Sequence, residues 1–528
     1  MAGDRQKYIL AIDLGTSGPK SALVSTNGEV IDSEFKDVPL YLFPGGGAEQ
    51  NPDDWWNGIM GTAKQVLAKK LVPAEDIVAV SCTTQWSGTV AVDRDGNHLM
   101  NAIIWLDTRG HQHVRRLVKG IINVEGYGLM KAIRWIWLTG AAPAPSGKDS
   151  FCHIIYIRNE HPEIYRKTYK FLEPKDYINL RFTGKFLASY DSIALHWVTN
   201  NRDINNVFYG KKLLKWSTID PDKFPDLKKA VDICGTIRPE VADELGLSRD
   251  VKVTMGCPDL HSAAIGSGAV KDYEGHIYIG TSSWVVCHVP FKKTDIFHNF
   301  ASLPAALPGR YLLLTEQETA GKCLMYLRDN LLYCKDDISA AAAPSDLYRR
   351  FDSAVSKIPP GSNKVIFTPW LYGERTPVEN DTVRAAFLNL SLDTSRASMI
   401  RAVFEGVAYN NRWLMGYVEK FIKRKFPYLN FIGGGANSEV WCQILADVLD
   451  RKIRQVKDPI TANARGAAFL ASIALGYLTI DQISERIQIK KEYQPNPENR
   501  KIYDELYREF VNFYQTSKKM YRRLNRGE

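Results

Sequence analysis

Two short apolar runs enclose a turn of glycines and hydroxyls near the start of the chain. They read Tyr8-Ile-Leu-Ala-Ile-Asp13-Leu-Gly15-Thr16-Ser17-Gly18-Pro-Lys20, and then Ser21 to Ser25 carrying Ala-Leu-Val. The pattern predicts strand, tight turn, strand. Glycines in such a turn let backbone N–H groups approach an anion closely, and Thr16 and Ser17 add hydroxyl donors, so the turn suits a phosphate group. Asp13, at the strand end, is placed to hold the hydrated magnesium that accompanies ATP. The same residues also suit an ordinary hairpin, with Asp13 as a turn starter. What favours phosphate is an echo in the second half of the chain. Gly275-His-Ile-Tyr-Ile-Gly280-Thr281-Ser282-Ser283-Trp-Val-Val repeats the plan of strand, Gly-Thr-Ser turn and strand. Two such hairpins predict two related lobes closing on one nucleotide.

Other nucleotide motifs are excluded. A P-loop needs Gly, four residues, then Gly-Lys-Ser/Thr, and here Lys20-Ser21 follows Pro19. No Gly-x-Gly-x-x-Gly follows the first strand, which removes a dinucleotide fold. The length of 528 residues allows two or more domains, and 45% hydrophobic with 24% charged residues fits a soluble globular chain. The net charge of +9 is spread thinly, and the basic tail from Lys518 to Arg526 reads as a solvated helix end, so no nucleic-acid partner is expected. Eight scattered cysteines without a Cys-x-x-Cys pair point to reduced thiols in a cytoplasmic protein and against a zinc site. The first residues run straight into the opening strand, so no signal peptide is expected, and no apolar run approaches a membrane span.

Along the chain, Asn27-Gly28 marks a turn between strands, and Asn51-Pro52 caps a helix with Trp55, Trp56, Ile59, Met60 and Ala63 on its core face. Ile77 to Ser81 reads as a buried strand ending in Thr83-Thr84-Gln85-Trp86-Ser87-Gly88. Gln85 and Ser87 suit ligand hydroxyls and Trp86 a carbon face; a turn with a packed Trp accounts for them equally. Ile103 to Trp105 is expected as a strand, and Asp107 and Arg109 as an ion pair at a helix start or a pair pointing into a cleft. Residues 127–147 are expected as a loop, residues 154–165 as helical, and Asp191-Ser192 as a helix start. Val251 to Met255 reads as a strand that delivers Asp259 to the start of a small-residue helix, a suitable place for a general base or for a plain N-cap. His261 reads as structural. A helix is expected from near Gly321, another through the alanine run 340–343, and one long amphipathic helix over 395–417. A strand running into Gly433-Gly434-Gly435-Ala436-Asn437-Ser438 and a helix gives bare backbone at a helix N-terminus, suited to an adenosine or a phosphate. The charged segment 498–526 is expected to be helical.

In this order Asp13 to Gly18, Pro174 to Tyr177 with Thr183-Gly184, Gly256 to Gly266, Gly280 to Ser282, Arg375-Thr376-Pro377 after Gly373-Glu374, and Gly433 to Ser438 resemble the FGGY carbohydrate kinases of the actin and hexokinase superfamily, most of all the xylulose kinases. The resemblance implies an α/β fold of two actin-like, ribonuclease H-like lobes, with mixed sheets flanked by helices and a cleft between them. It implies lobes at residues 1–254 on the sugar side and 255–485 on the nucleotide side, followed by a charged helix over 486–528. It further implies ATP and Mg2+, a small-molecule sugar or polyol acceptor, and compatibility with a homodimer. Asp259 matches the catalytic base, and Asp13 and Asp259 the metal-associated carboxylates. Gly15, Thr16, Ser17 and Lys20, Gly280, Thr281 and Ser282, Gly321, and Gly434, Gly435, Ala436 and Asn437 match the nucleotide-binding set. Gln85, Trp86, Ser87, Asp259 and Leu260 fall at the sugar. Departures lie there too. Gln85-Trp86-Ser87-Gly88 stands for Gln-Met-His-Gly of the xylulose kinases, and glycerol kinases show Arg-Glu there. Leu260 stands for the usual Asn or Gln, and Asn389 for a usual Gly. The expected activity is phosphoryl transfer from ATP to a ketopentose or related polyol; Trp86 and Leu260 also suit a nucleotide-binding sensor or scaffold without that activity.

Overall fold

The computed structural model describes residues 5–124, 126–334, 336–337 and 341–525. β1 (Tyr8–Gly15) and β2 (Gly18–Ser25) pair antiparallel from Tyr8 opposite Ser25 to Gly15 opposite Gly18, leaving Thr16 and Ser17 as the turn. Gly18 must be glycine: its φ is +149°, and a Cβ there would meet the Lys36 carbonyl oxygen at 2.0 Å. β3 (Val30–Phe35) continues the meander. The chain then makes α1 (Pro52–Ala68), with the Asn51 side chain accepting from Asp53 N–H as its cap. β4 (Ile77–Thr84) returns to lie parallel beside β1.

Side chains of β1 alternate between two buried faces. Leu10, Ile12 and Leu14 pack with Trp55, Ile59, Met60 and Ala63 of α1. Ile9 and Ala11 face the other way, toward a helix contributed from far down the chain. β5 (Ile233–Thr236) and β6 (Lys252–Thr254) complete the order β5-β6-β4-β1-β2-β3, and the short β7 (Cys257–Pro258) also pairs β4. α4 (Asp259–Gly266) follows β7 directly; before it come α2 (Leu129–Thr139) and α3 (Ser150–Glu160).

The second sheet repeats the plan. β8 (Gly275–Ile279) and β9 (Ser283–Val289) form an antiparallel hairpin whose turn is Gly280, Thr281 and Ser282. With β10 (Thr294–Asp295), β11 (Phe300–Pro304), β12 (Tyr311–Leu314), β13 (Tyr428–Ile432), β14 (Lys452–Val456) and β15 (Ile489–Tyr493) the order is β10-β11-β12-β9-β8-β13-β14-β15. β13 is parallel to β8, as β4 is to β1. α5 (Gly321–Leu327), α6 (Arg396–Ile422) and α7 (Glu439–Leu449) belong to this half.

The halves meet through α4 and α8 (Ala462–Ala474). Ala464, Ala467, Ala468 and Ala471 of α8 cover Ile9, Ala11, Ala22, Val24 and Ala79 of the first sheet. Ala263 and Ala264 of α4 cover Trp284, Val286, Leu312 and Ile432 of the second. The two helices also touch each other at glycines. A Cβ on Gly266 would meet the Ala462 carbonyl oxygen at 1.8 Å, and one on Gly466 the Ser262 carbonyl oxygen at 2.0 Å.

Several local expectations need correction. Residues 129–139 of the expected loop form α2, which lacks a side-chain cap at Gly128 and stops at Gly140 with φ +105°, so its start carries no signal in the sequence. The expected helical segment 154–165 is present as two helices, Ser150–Glu160 and Pro162–Lys167, the second opened by the proline. The strand near Ile103 covers Ala102–Ile103 alone, and Asp191-Ser192 opens only a 3-10 turn, Ser192–His196. Ala341 to Ala343 are irregular rather than helical, and Ala340 lies outside the described residues. The charged C-terminal segment is α9 (Arg500–Leu524), and it is amphipathic: Tyr503, Leu506, Phe510, Tyr514 and Tyr521 are buried in the core of the second half.

Two glycines of opposite circumstance test this packing. Gly266→Ala is expected to lose about 1–3 kcal/mol of stability, because backbone must move to admit the methyl group. Gly61→Ala, inside α1 with nothing within 4 Å of the new Cβ, is expected to gain about 1 kcal/mol. Denaturant unfolding of both variants measures the difference.

Candidate active site

Parallel pairing puts the ends of neighbouring strands together. β4 lies beside β1, so Gln85, Trp86 and Ser87 emerge next to the first hairpin. β7 pairs Cys257 with Thr83 and Pro258 with Thr84, so Asp259 emerges beside them. Gly256 makes the approach possible: its φ is +64°, and a Cβ would meet the Cys82 carbonyl oxygen at 2.0 Å. In the second half β13 lies beside β8, which brings Gly434 to Asn437 next to the second hairpin.

The first turn is braced from within. The Thr16 hydroxyl donates to Gln85 Oε1 at 2.9 Å and accepts from Trp105 Nε1 at 2.9 Å. Gln50 Nε2 donates to the Thr16 carbonyl at 2.8 Å, and Gln85 Nε2 donates to Gln50 Oε1 at 2.8 Å. Ser17 is exposed at the tip. Lys20 sits opposite Asp13 in the hairpin and reaches the Ile460 carbonyl at 3.4 Å. Burial raises the Asp13 pKa, while Lys20 and a hydrogen bond from the Asn463 side chain act to lower it.

The second turn is braced by the start of α5. Gly321 N–H donates to the Gly280 carbonyl at 2.9 Å, and Ala320 and Lys322 N–H donate to the Thr281 carbonyl at 2.9 and 3.2 Å. A Cβ on Gly321 would lie 2.3 Å from the Gly280 oxygen, so this contact requires glycine. In the third loop Gly433 has φ +86° and the Ala436 carbonyl accepts from Gln455 Nε2 at 2.7 Å. Nothing lies within 4 Å of a Cβ built on Gly434, and Gly434 and Asn437 are exposed.

Asp259 occupies the first position of α4, and its Oδ1 accepts the Leu260 N–H at 2.8 Å. Its pKa is pushed up to about 8, first by burial and then by the charges of Asp13 and Glu316; the Leu260 N–H works against them. The same two aspartates act on the buried Tyr278 hydroxyl and raise it further than burial alone. Asp13 and Tyr278 therefore each lie within electrostatic reach of Asp259, near the ends of the two hairpins. The donor set fits magnesium carried by a nucleotide. Two carboxylates face the crevice, and no group of three or more His, Cys, Asp or Glu side chains able to hold a metal occurs among the described residues. Magnesium bound by one or two carboxylates keeps its remaining positions for water and phosphate.

The residues expected at the acceptor are near Asp259 but largely engaged inside the protein. Gln85 braces Thr16 as above. Trp86 donates its indole N–H to the Ser192 carbonyl at 2.8 Å and sits edge-on to His261 at 5.2 Å. Ser87 has φ +62° and donates its hydroxyl to the Lys148 carbonyl at 2.7 Å. Leu260 is half-buried against Ala263, Trp284 and Ile432. His261 is fully buried, its Nδ1 accepting from Ala306 N–H at 3.2 Å. Arg109 is paired to Asp107 and Glu49 and lies over the Tyr156 ring. Asn389 has φ +63°, a conformation that glycine adopts freely and Asn tolerates best among the rest.

Other groups at the crevice escape the sequence reading. Asn463, inside an alanine-rich helix start, and Tyr278, inside a strand, carry no motif. Glu316 and Glu318 do carry a signal: two acids alternating along an extended segment point to one side.

Comparison with known proteins bears on the whole chain. Residues 8–266 match the N-terminal domain, and residues 275–475 the C-terminal domain, of the FGGY family of carbohydrate kinases. A xylulose kinase of Bacillus subtilis is 27% identical over 516 residues, 97% of each chain. A gluconokinase of the same organism is 26% identical over 519 residues, 98% of this chain and 97% of its own. The crystal structure of a ligand-bound xylulose kinase from Lactobacillus acidophilus superposes with a TM-score of 0.83 at 24% identity, covering 98% of this chain and all of that one. These likenesses establish two actin-like lobes with mixed sheets flanked by helices.

The raised pKa of Asp259 has a measurable consequence for stability. An unfolded aspartate titrates near about 4, and Asp259 in the folded chain near about 8. Between those values the folded state holds a proton that the unfolded state has lost, so this group's contribution is fully present below about pH 4 and is lost as pH rises toward 8. Asp259→Asn removes the effect. Its melting temperature minus that of the parent is expected to widen from about pH 4 to about pH 8 and then level off, as read by thermal unfolding across that range.

Proposed function

The chain belongs to the FGGY family of carbohydrate kinases, and from that premise we propose that it transfers the γ-phosphoryl group of ATP to a hydroxyl of a ketopentose, xylulose-like, or a related sugar or polyol. The observation that carries the reading is Asp259: one carboxylate at a helix start, between two Gly-Thr-Ser turns, with its pKa raised toward neutrality. The names of the relatives, xylulose kinase and gluconokinase, support a small carbohydrate acceptor. A sensor or scaffold without activity is the weaker reading, since the chain retains this carboxylate.

Asp259 accepts the proton of the attacking hydroxyl. Asp13, held by Lys20 and Asn463, is the carboxylate that would hold the magnesium of ATP, with Asp259 beside it; bound there, the ion would offset phosphate charge. The turn at Gly15, Thr16 and Ser17 with Lys20, and the turn at Gly280, Thr281 and Ser282 with Gly321 behind it, cradle the phosphates. Gly434, Gly435, Ala436 and Asn437 receive the adenosine. Gln85, Trp86, Ser87 and Leu260 border the acceptor, with Gln85 acting through Thr16. Closure of the lobes excludes water, which competes with the acceptor hydroxyl. We divide the chain into lobes at 1–254 and 255–485 and a C-terminal segment at 486–528, in which the expected helix is limited to Arg500–Leu524 because Ile489–Tyr493 joins the second sheet, and place the protein in the cytoplasm; its cysteines are free, and no helix among the described residues is long and apolar enough to cross a membrane.

The test is ADP release with pentuloses, hexuloses, glycerol and tetritols. Asp259→Asn is expected to lower turnover by at least about a thousandfold, within the range of general-base catalysis, while ATP binding persists; a variant with the parent's rate would remove Asp259 from the mechanism. Because the base works ionised and its pKa is raised to about 8, log kcat/KM is expected to rise with unit slope through neutral pH and flatten near 8. A plateau already complete at pH 6 would contradict the buried, carboxylate-flanked environment.

A further inference from the structure

Two kinds of acceptor stand among the relatives' names: xylulose is neutral, whereas gluconate carries a carboxylate. Four charged side chains from distant parts of the chain bear on that difference. Arg375 pairs with Glu316, and with Glu318 through Nη2 at 2.8 Å and Nε at 3.0 Å. Lys148 lies 3.6 Å from the same Glu318. Glu374, beneath them, accepts the N–H groups of Glu318 at 3.1 Å and Arg375 at 2.8 Å, which fixes the backbone of both.

Three connections tie this tetrad to the residues around Asp259. The charge of Glu316 is felt by Asp259. Gln317, between the two acids, exchanges backbone hydrogen bonds with Ser283, the residue after the second turn. The Lys148 carbonyl accepts the Ser87 hydroxyl from the loop that follows β4. Lys148 comes from the first half of the chain and its partners from the second.

We propose that Lys148, Glu316, Glu318 and Arg375 select the acceptor by charge, admitting neutral ketoses and polyols and rejecting aldonates. The inference rests on the kinase reading above. An aldonate carboxylate beside Asp259 would add to the negative charges of Asp13 and Glu316 that already act there, while both cations of the tetrad already face carboxylates. Like charges brought together in a dehydrated cleft are costly, and an unpaired buried charge is costlier still. A hydroxyl fares differently. It can donate to a carboxylate oxygen and accept from the Lys148 ammonium, which carries three donors. Glu318 is central because it faces both cations.

The experiment compares D-xylulose, other neutral ketoses and polyols, and D-gluconate. Binding is read by titration calorimetry with a non-hydrolysable ATP analogue, and kcat/KM by ADP release. The wild-type chain is expected to favour at least one neutral acceptor over gluconate by about a hundredfold or more, the discrimination that a polar site achieves. Glu318→Gln frees positive charge, and is expected to shift the gluconate-to-neutral ratio by about tenfold toward gluconate, the size of one charge-assisted contact. Glu316→Gln serves as a second, independent variant, and melting curves confirm folding. A merely structural brace would weaken both acceptors in proportion, so an unchanged ratio in folded Glu318→Gln and Glu316→Gln overturns the proposal. Wild-type preference for gluconate, or binding of no neutral acceptor, overturns it as well. If neutral acceptors bind selectively but none releases ADP, the kinase reading fails while the charge selection stands.

Discussion

The contact between α4 and α8 is the constraint on which the rest of the molecule depends. Each helix covers the sheet of a different half, and each begins at the crevice: α4 with Asp259, α8 with Asn463 bonded to Asp13. Gly266 and Gly466 let the two backbones approach to distances no side chain would permit. Buried Arg465 fastens the same crossing, donating to the carbonyls of Gly28, Gly266 and Lys457, which belong to three separate segments. Helices held this closely carry no slack, so the spacing of Asp13 and Asp259 is set by backbone against backbone. The raised pKa of Asp259 comes first from burial and then from the Asp13 charge that this spacing brings near.

The two hairpins have similar sequences but are supported differently. In the first, side chains from three other segments, Gln50, Gln85 and Trp105, converge on one residue, Thr16. In the second, the backbone of a helix start holds the turn through the Gly280 and Thr281 carbonyls. Any opening of the crevice must therefore carry each turn along with its own lobe. Lys148 with Glu318 is a polar link between the halves, so relative motion of the lobes would be felt there.

The architecture was legible because its signals are local. Apolar runs ending in Gly-Thr-Ser turns, Asn51-Pro52 before a helix, and three glycines after a strand each announce a conformation through residues adjacent in sequence. The ordered set then named the family. Misses occurred where the deciding partner is remote. α2 has no capping side chain and is stabilised by burying Trp135 and Leu138 against other segments. The amphipathic face of α9 was hidden under a high density of charge. At residues 85 and 86 the residue types suit a ligand and a packed turn equally, and the structure adds that Thr16, Gln50 and the Ser192 carbonyl engage their polar groups. Nothing near residues 85–86 in sequence announces those partners.

Charge balance links the base to the acceptor. Asp13, Asp259 and Glu316 place three carboxylates within electrostatic reach of one another, and Lys20 and Arg375 each offset one of them at the edge. No cation among the described residues pairs with Asp259, and burial beside Asp13 and Glu316 favours its protonated form at neutral pH. A neutral acceptor leaves this balance unchanged, whereas an anionic one placed beside Asp259 would add to the carboxylate charge that already raises its pKa.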